Sequence, residues 1–181
     1  MTVEEFKIKV IPVNSKLYKF AIRFLFIREE AEDAVQEVFI KLWELRNDLE
    51  NIENIEAYAM RMTRNLCIDK IKAKKTVSIE TQNYNNKLFQ LEDGPENKLI
   101  LKETVEKVGR IINELPENQK TIIELRDRDG YSFEEISKIM KMSAVNVRVC
   151  LSRARRKVKE ILNKTYDYGS GTDTNIAGKI L

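Results

Sequence analysis

Between positions 141 and 164 the cations Lys141, Arg148, Arg153, Arg155, Arg156, Lys157, Lys159 and Lys164 stand against a single acid, Glu160. A one-signed run of this kind can hold phosphates, and its arginines can donate to base edges. A second set lies upstream. At about 100° per residue, Tyr58, Arg61, Asn65, Asp69 and Lys72 share an arc of about 80°, and Met60, Cys67 and Ile71 point the other way. A ring, two cations and an amide on one face suit a single nucleic-acid strand: cations hold phosphates, the ring stacks on an unpaired base, and the amide bonds a base edge. The same pattern also fits a plain exposed helix side with a half-buried tyrosine. A third set is acidic. Asp33, Gln36, Glu37 and Ile40 form a strip that would repel DNA, which points to a protein partner. Phe39 and Trp43 nearby are expected to be core.

These groups need elements to position them, and the spacing predicts helices throughout. Around the basic run it predicts a helix-turn-helix over Asp129–Leu162. Gly130 suits the left-handed position after a helix end. Ser132 with Glu135 makes a capping box, and Phe133, Ile136, Ile139 and Met140 give an inward stripe. Lys141-Met142-Ser143 turns, Ser143 caps the next helix, and a long basic helix runs to about Leu162. Its apolar residues are Val145, Val147, Val149, Leu151, Val158, Ile161 and Leu162.

Three helices are expected before residue 75. The first is capped by Asn14 or Ser15 and carries Leu17, Phe20, Ala21, Phe24 and Leu25. The second runs from about Glu29 to Leu45 on a stripe of Ala31, Ala34, Val35, Val38, Leu42 and Leu45. The third runs from near Ile55 to about Ala73. The polar stretch that follows, closed by Gly94-Pro95, reads as a flexible linker. Beyond it a helix holds Leu101, Val105, Val108, Ile112 and Leu115, Pro116 breaks it, and another runs from about Glu117 to Asp127. The glycine-rich tail is expected to be disordered. The fold class is therefore all-α: residues 1–75 as one small domain, 76–96 as linker, 97–164 as a second domain and 165–181 as tail.

Composition removes other classes. There is no histidine and there are two cysteines, Cys67 and Cys150, far apart in sequence. This excludes a Cys/His zinc site and histidine acid–base catalysis, so no metal, cofactor or catalytic residue is expected. Apolar runs are too short to span a membrane and the start lacks a signal-peptide pattern, so the expected location is the cytoplasm. The net charge of +3 hides zoning. Residues 28–56 hold ten acids and three bases (3 − 10 = −7), and residues 61–75 hold six bases and one acid (6 − 1 = +5). Different surfaces should meet different partners.

At this point the chain resembles a known family. Ala31-Glu32-Asp33-Ala34-Val35-Gln36-Glu37-Val38-Phe39-Ile40-Lys41-Leu42-Trp43 is similar to region 2.2 of bacterial extracytoplasmic-function (ECF, group IV) sigma factors of the sigma-70 family. Ala57-Tyr58 through Arg64-Asn65-Leu66-Cys67-Ile68-Asp69 resembles regions 2.3 and 2.4. Leu115-Pro116-Glu117 opens a segment similar to region 4. There Tyr131-Ser132-Phe133-Glu134-Glu135-Ile136, Asn146-Val147-Arg148 and Leu151-Ser152-Arg153-Ala154-Arg155 resemble the region 4.2 helix-turn-helix. The motifs stand in the right order over roughly residues 15 to 163.

The resemblance implies a factor without catalysis of its own that guides core RNA polymerase to promoters. Asp33, Gln36, Glu37 and Ile40 would dock on the β′ clamp helices, and region 4 would meet the β flap. Tyr58, Arg61, Arg64, Asn65, Lys70 and Lys72 would serve the −10 element, with Asn65 holding a flipped base and loop residues from Leu49 to Asn54 completing its pocket. Asn146, Arg148, Arg153 and Arg156 would contact the −35 element. An anti-sigma factor is an implied partner. Tyr58 stands where the family usually has tryptophan, Ser137 where alanine is common, and Val145-Asn146 lacks the Gly-Thr pair that often precedes that valine. The rivals are a helix-turn-helix repressor and a DNA-processing enzyme, neither of which needs polymerase.

Overall fold

The computed structural model describes residues 1–77 and 107–167. Among these every regular element is helical, and the chain divides into two compact units. Most of the expected linker, Leu101, Val105 and the end of the tail lie outside the described residues.

The N-terminal unit opens with α1 (Val3–Lys9), a helix that the apolar spacing does not reveal. Thr2 and Glu5 form its capping box, with Glu5 Nα donating to Thr2 Oγ1 at 3.2 Å and Thr2 Nα to Glu5 Oε2 at 2.8 Å. Phe6 is its buried residue and meets Trp43 edge-on, centroids 5.1 Å apart. A 3-10 turn (Ile11–Val13) leads directly into α2 (Asn14–Leu25). The expected cap from Asn14 or Ser15 is therefore absent. Val13 is the cap residue, it has no side-chain cap bond, and the preceding turn supplies the helical entry.

α2 buries Leu17, Phe20, Ala21, Phe24 and Leu25, and the rings of Phe20 and Phe24 stack 4.4 Å apart. It ends at Phe26, whose φ of 62° is left-handed. That conformation is costly for a bulky residue and closes the short turn into α3 (Arg28–Glu44). α3 buries Ala31, Ala34, Val35, Val38 and Leu42. Leu45, expected in this stripe, is instead exposed, because α3 stops at Glu44 and the chain bends into a 3-10 turn (Asp48–Asn51). Trp43 is also no core residue. It is 38% exposed, with Phe6 on its edge and the Arg46 guanidinium 4.7 Å over its ring; Phe39 is half-buried.

α4 (Ile55–Val77) begins where Asn54 Oδ1 accepts from the Ala57 amide at 2.8 Å. It buries Ala57, Ala59, Met60, Thr63, Cys67 and Ile68, and Thr63 satisfies its hydroxyl on the Ala59 carbonyl at 3.0 Å. α2, α3 and α4 pack on one another pairwise and enclose this apolar core.

In the C-terminal unit the described part of α5 is 107–113. Val108, Ile112 and Leu115 are buried as expected. Pro116 is the cap residue of α6 (Glu117–Ile123). The helix expected to continue to Asp127 widens into a π-helical turn (Glu124–Arg128), marked by the Asp129 amide donating to the Glu124 carbonyl at 3.0 Å. Gly130, at φ +75°, reverses the chain. α7 (Phe133–Met140) follows, opened by Ser132 and Glu135. The Ser132 amide donates to Glu135 Oε2 at 2.7 Å, and the Glu135 amide to Ser132 Oγ at 3.1 Å. Ile136 and Ile139 are buried, whereas Phe133 and Met140 are half-buried at the margins of the stripe.

The turn to α8 passes through Lys141 at φ 52°. Ser143 Oγ accepts from the Asn146 amide at 3.2 Å and caps α8 (Ala144–Asp167). This helix runs past its expected end near Leu162. Val147, Leu151, Ala154, Val158 and Leu162 are its buried stripe, and α6 packs along it.

Candidate nucleic-acid interface

The three sets read from the sequence occupy three helix faces. On α3, Asp33, Gln36 and Ile40 are exposed and Glu37 is half-buried. They lie opposite the buried stripe of the same helix. Lys41 Nζ donates to Glu37 Oε1 at 2.7 Å, and Lys70 Nζ of α4 lies 3.9 Å from Glu37 Oε2. The Lys41 hydrogen bond, supported by both positive charges, holds the Glu37 carboxyl below its ordinary range. Ile40, 59% exposed, gives the strip an apolar centre.

On α4, Tyr58 and Arg61 are half-buried and Asn65, Asp69 and Lys72 are exposed. The Arg61 guanidinium sits 5.0 Å from the Tyr58 ring centroid. Arg64 Nη1 donates to Asn65 Oδ1 at 3.1 Å. The helical period therefore groups Tyr58, Arg61, Asn65 and Lys72 on one face. It sets Arg64 at the margin of that face and turns Lys70 towards Glu37 of α3. Leu49, expected to line a base pocket, is 1% exposed and anchors the turn before α4. Glu50, Asn51 and Glu53 are the exposed residues of that loop, and Asn54 caps the helix.

On α8, Asn146, Arg148, Arg153 and Arg156 are exposed. Arg156 Nε lies 3.6 Å from Glu160 Oε1. Arg148 differs from the others. Its guanidinium is 4.8 Å from the Phe133 ring, and its Nη2 is 3.7 Å from Glu134 Oε1. The Arg126 guanidinium also approaches Phe133, 4.7 Å from its centroid, while Arg126 Nη1 donates to the Tyr131 carbonyl at 2.8 Å. Phe133 thus carries two guanidiniums. The sequence reading missed this role; an aromatic at the first position of α7 beside nearby arginines was the available signal. Arg155 is tied to Asp127, its Nε donating to Oδ2 at 3.1 Å, and this bond raises its already high pKa. It clamps α8 to the π-helical turn. Val145 and Val149 are exposed, at 64% and 44%. On a helical wheel they fall opposite Val147 and Leu151, so their placement was legible in the sequence.

Cys67 and Cys150 are both free, and burial pushes the Cys150 thiol above its ordinary value against a weaker pull from Arg153. Among the described residues no three of His, Cys, Asp and Glu gather as a metal site would require.

The geometry first defines a class: a protein all-helical among its described residues, with a cation-bearing face on one long helix, a second on a helix-turn-helix, and an acidic strip on the helix packed against the first. Comparison with known proteins narrows it. Residues 13–77 match Sigma-70 region 2, and residues 106–158 match Sigma-70, region 4. The RNA polymerase sigma-H factor of Pseudomonas aeruginosa is 26% identical over 165 residues, covering 87% of this chain and 86% of that one. The ECF RNA polymerase sigma-E factor of Escherichia coli strain K12 is 27% identical over 161 residues, covering 84% of each. Among solved structures, the sigma factor RpoE of Bartonella quintana, crystallised with the anti-sigma factor NepR, aligns with a TM-score of 0.65. It is 23% identical and spans 89% of this chain and 98% of that one, which shows a shared fold. The chain belongs to the sigma-70 family of RNA polymerase sigma factors, in its ECF group.

Proposed function

We propose that this sigma factor docks on core RNA polymerase through the α3 strip and presents two promoter readers, α4 for the −10 element and the start of α8 for the −35 element. The observation that carries the reading is that one compact unit exposes both an acidic, Ile40-centred strip on α3 and a face of cations, amide and ring on α4. DNA binding alone leaves the acids without a use; a polymerase partner supplies one. Asp33, Gln36, Glu37 and Ile40 meet the β′ clamp helices, and region 4 meets the β flap. Asn65 holds an extruded base of the melted strand, beside the Tyr58–Arg61 stack. Arg61, Arg64 and Lys72 hold phosphates; Lys70 joins them after leaving Glu37. Asn146, Arg148, Arg153 and Arg156 contact duplex −35 DNA.

The working divisions are residues 1–75, 76–96, 97–164 and 165–181. The protein performs no catalysis of its own, works in the cytoplasm beside polymerase, and is held in check by an anti-sigma factor. Each reader is weak alone, and joining both to polymerase raises the effective affinity.

A pull-down with purified core polymerase tests the docking. Asp33→Arg with Glu37→Arg abolishes capture, and undiminished capture sinks the clamp assignment. Permanganate footprinting tests base holding. Asn65→Ala leaves the −10 thymines unreactive while polymerase binding persists; normal opening by that variant removes Asn65 from the role.

A further inference from the structure

The outward face at the start of α8 is not uniformly polar. Val145 and Val149 are 64% and 44% exposed, and a spacing of four places them on one side of the helix. With Ser152, Arg153 and Arg156 they share an arc of about 100°, opposite the buried stripe. Neither valine is there for packing, since Val147, Leu151 and Ala154 fill the inner side. Neither is there for helix propensity, in which valine is a poor choice for an exposed position. Single exposed apolar residues are ordinary. Two in register, flanking Asn146 and followed by Arg153 and Arg156, lie where the basic helix meets its target.

We infer that Val145 and Val149 read the C5 methyl groups of thymines in the upstream element and so determine part of its sequence. This rests on the reading that the start of α8 enters the major groove. Of the base features displayed there, only the thymine methyl is apolar. A valine can neither donate nor accept a hydrogen bond. Against the polar edge of another base it removes water and returns nothing, so the pair rejects other bases as well as favouring thymine. The spacing carries a further consequence. Four residues of helix rise about 6 Å, against about 3.4 Å per nucleotide along a DNA strand. The two methyls therefore lie about two base steps apart. Asn146, between the valines in sequence, can bond adenine bidentately, so the helix start fits a short A·T-rich patch.

The test uses holoenzyme reconstituted from the full chain and core polymerase. Selection from promoters randomised in the upstream element identifies the preferred bases, and thymines about two steps apart are expected. Each is then replaced by deoxyuridine, which lacks only the methyl. Each replacement weakens binding about fourfold. Val145→Ala abolishes the penalty at one position and Val149→Ala at the other. Both substitutions are on the surface and raise helix propensity, and circular dichroism verifies the fold. Selected sites without thymine, or full tolerance of deoxyuridine, overturn the inference. Arg153→Ala, run in parallel, separates this failure from that of the groove placement. A weakened complex with a salt slope reduced by about 0.9 supports groove entry. If deoxyuridine alone is silent, only the valine assignment falls; if Arg153→Ala is silent too, the groove placement falls with it.

Discussion

The helix proposed to read the −10 element, α4, is backed by apolar packing along one side, and the one proposed to read the −35 element, α8, adds to its own buried stripe a set of polar devices around its start. α4 buries Ala57, Ala59, Met60, Cys67 and Ile68 in a core shared with the stacked Phe20 and Phe24 of α2. α8 buries Val147, Leu151, Ala154, Val158 and Leu162, and its position is further fixed by the Ser143 cap, the left-handed turn at Lys141 and the two guanidiniums on Phe133 near its start, and by the Arg155–Asp127 clamp farther along. The difference follows the proposed tasks. Holding an extruded base works against an unstacking cost of a few kcal/mol, and a deep apolar backing keeps the helix from yielding. Reading an intact duplex asks mainly for correct placement of a few side chains, which short polar contacts provide.

The largest expected effect breaks the apolar side of this contrast. Phe20→Ala empties a fully buried site and should cost about 3–5 kcal/mol, read as a fall in the urea midpoint of the N-terminal unit. Promoter opening should be lost with it. A cost below about 1 kcal/mol, the scale of a surface change, would mean that α4 does not depend on this core.

The caps give a smaller and more local comparison. Ser143→Ala removes the oxygen that accepts from the Asn146 amide and should cost about 1 kcal/mol. Asn14→Ala, at the start of α2, removes no cap bond, because the helix is entered from a 3-10 turn. Denaturation of the two variants should therefore separate, with only Ser143→Ala losing stability. Equal losses would show that the C-terminal unit relies on its cap no more than α2 does.

These cases also show what was legible in the sequence. Capping signatures and helical stripes work at short range, so Gly130, the Ser132–Glu135 box, Ser143 and the buried sides of α2, α3 and α4 could be read directly. The three exposed sets were legible for the same reason, since helical period alone assigns a face. α1 was missed although Thr2 and Glu5 spell a capping box, because seven residues offer too short a stripe. Trp43 and Leu45 were misjudged because exposure at a helix end depends on where the chain turns next. The π-helical turn at Glu124–Arg128 inserts a residue that a regular period cannot show. Leu49 looked like a pocket residue by its place in the motif, and only packing reveals it as an anchor.

A third change sharpens the polar side. Phe133→Leu keeps an apolar side chain and removes the ring that both Arg126 and Arg148 approach. The expected loss in binding to an isolated −35 duplex is about 0.5–1 kcal/mol, the worth of a cation–π contact at an exposed site. Stability should change less than for Phe20→Ala. Binding that stays at the wild-type level would show that Arg148 keeps its position without the ring, leaving Glu134 as its guide.

The smallest effect distinguishes the units by the sign of their pH response. Folding lowers the Glu37 pKa, chiefly through the Lys41 hydrogen bond. Its contribution is therefore full above the unfolded carboxyl value and is lost as the pH falls through the folded one. Folding raises the Arg155 pKa through its bond to Asp127. The arginine's contribution is full below its unfolded value and is lost only as the pH rises through the folded one, far into the alkaline range. Glu37→Gln keeps the shape and removes the charge. Its stability deficit against the wild type, measured in urea from about pH 7 down to about pH 3, should shrink on acidification and should be smaller in high salt, because the Glu37 side chain is 41% exposed. A deficit that persists or grows in acid would mean that the contacts of Glu37 with Lys41 and Lys70 do not depend on its charge, and that the electrostatic part of the contrast between the units lies elsewhere.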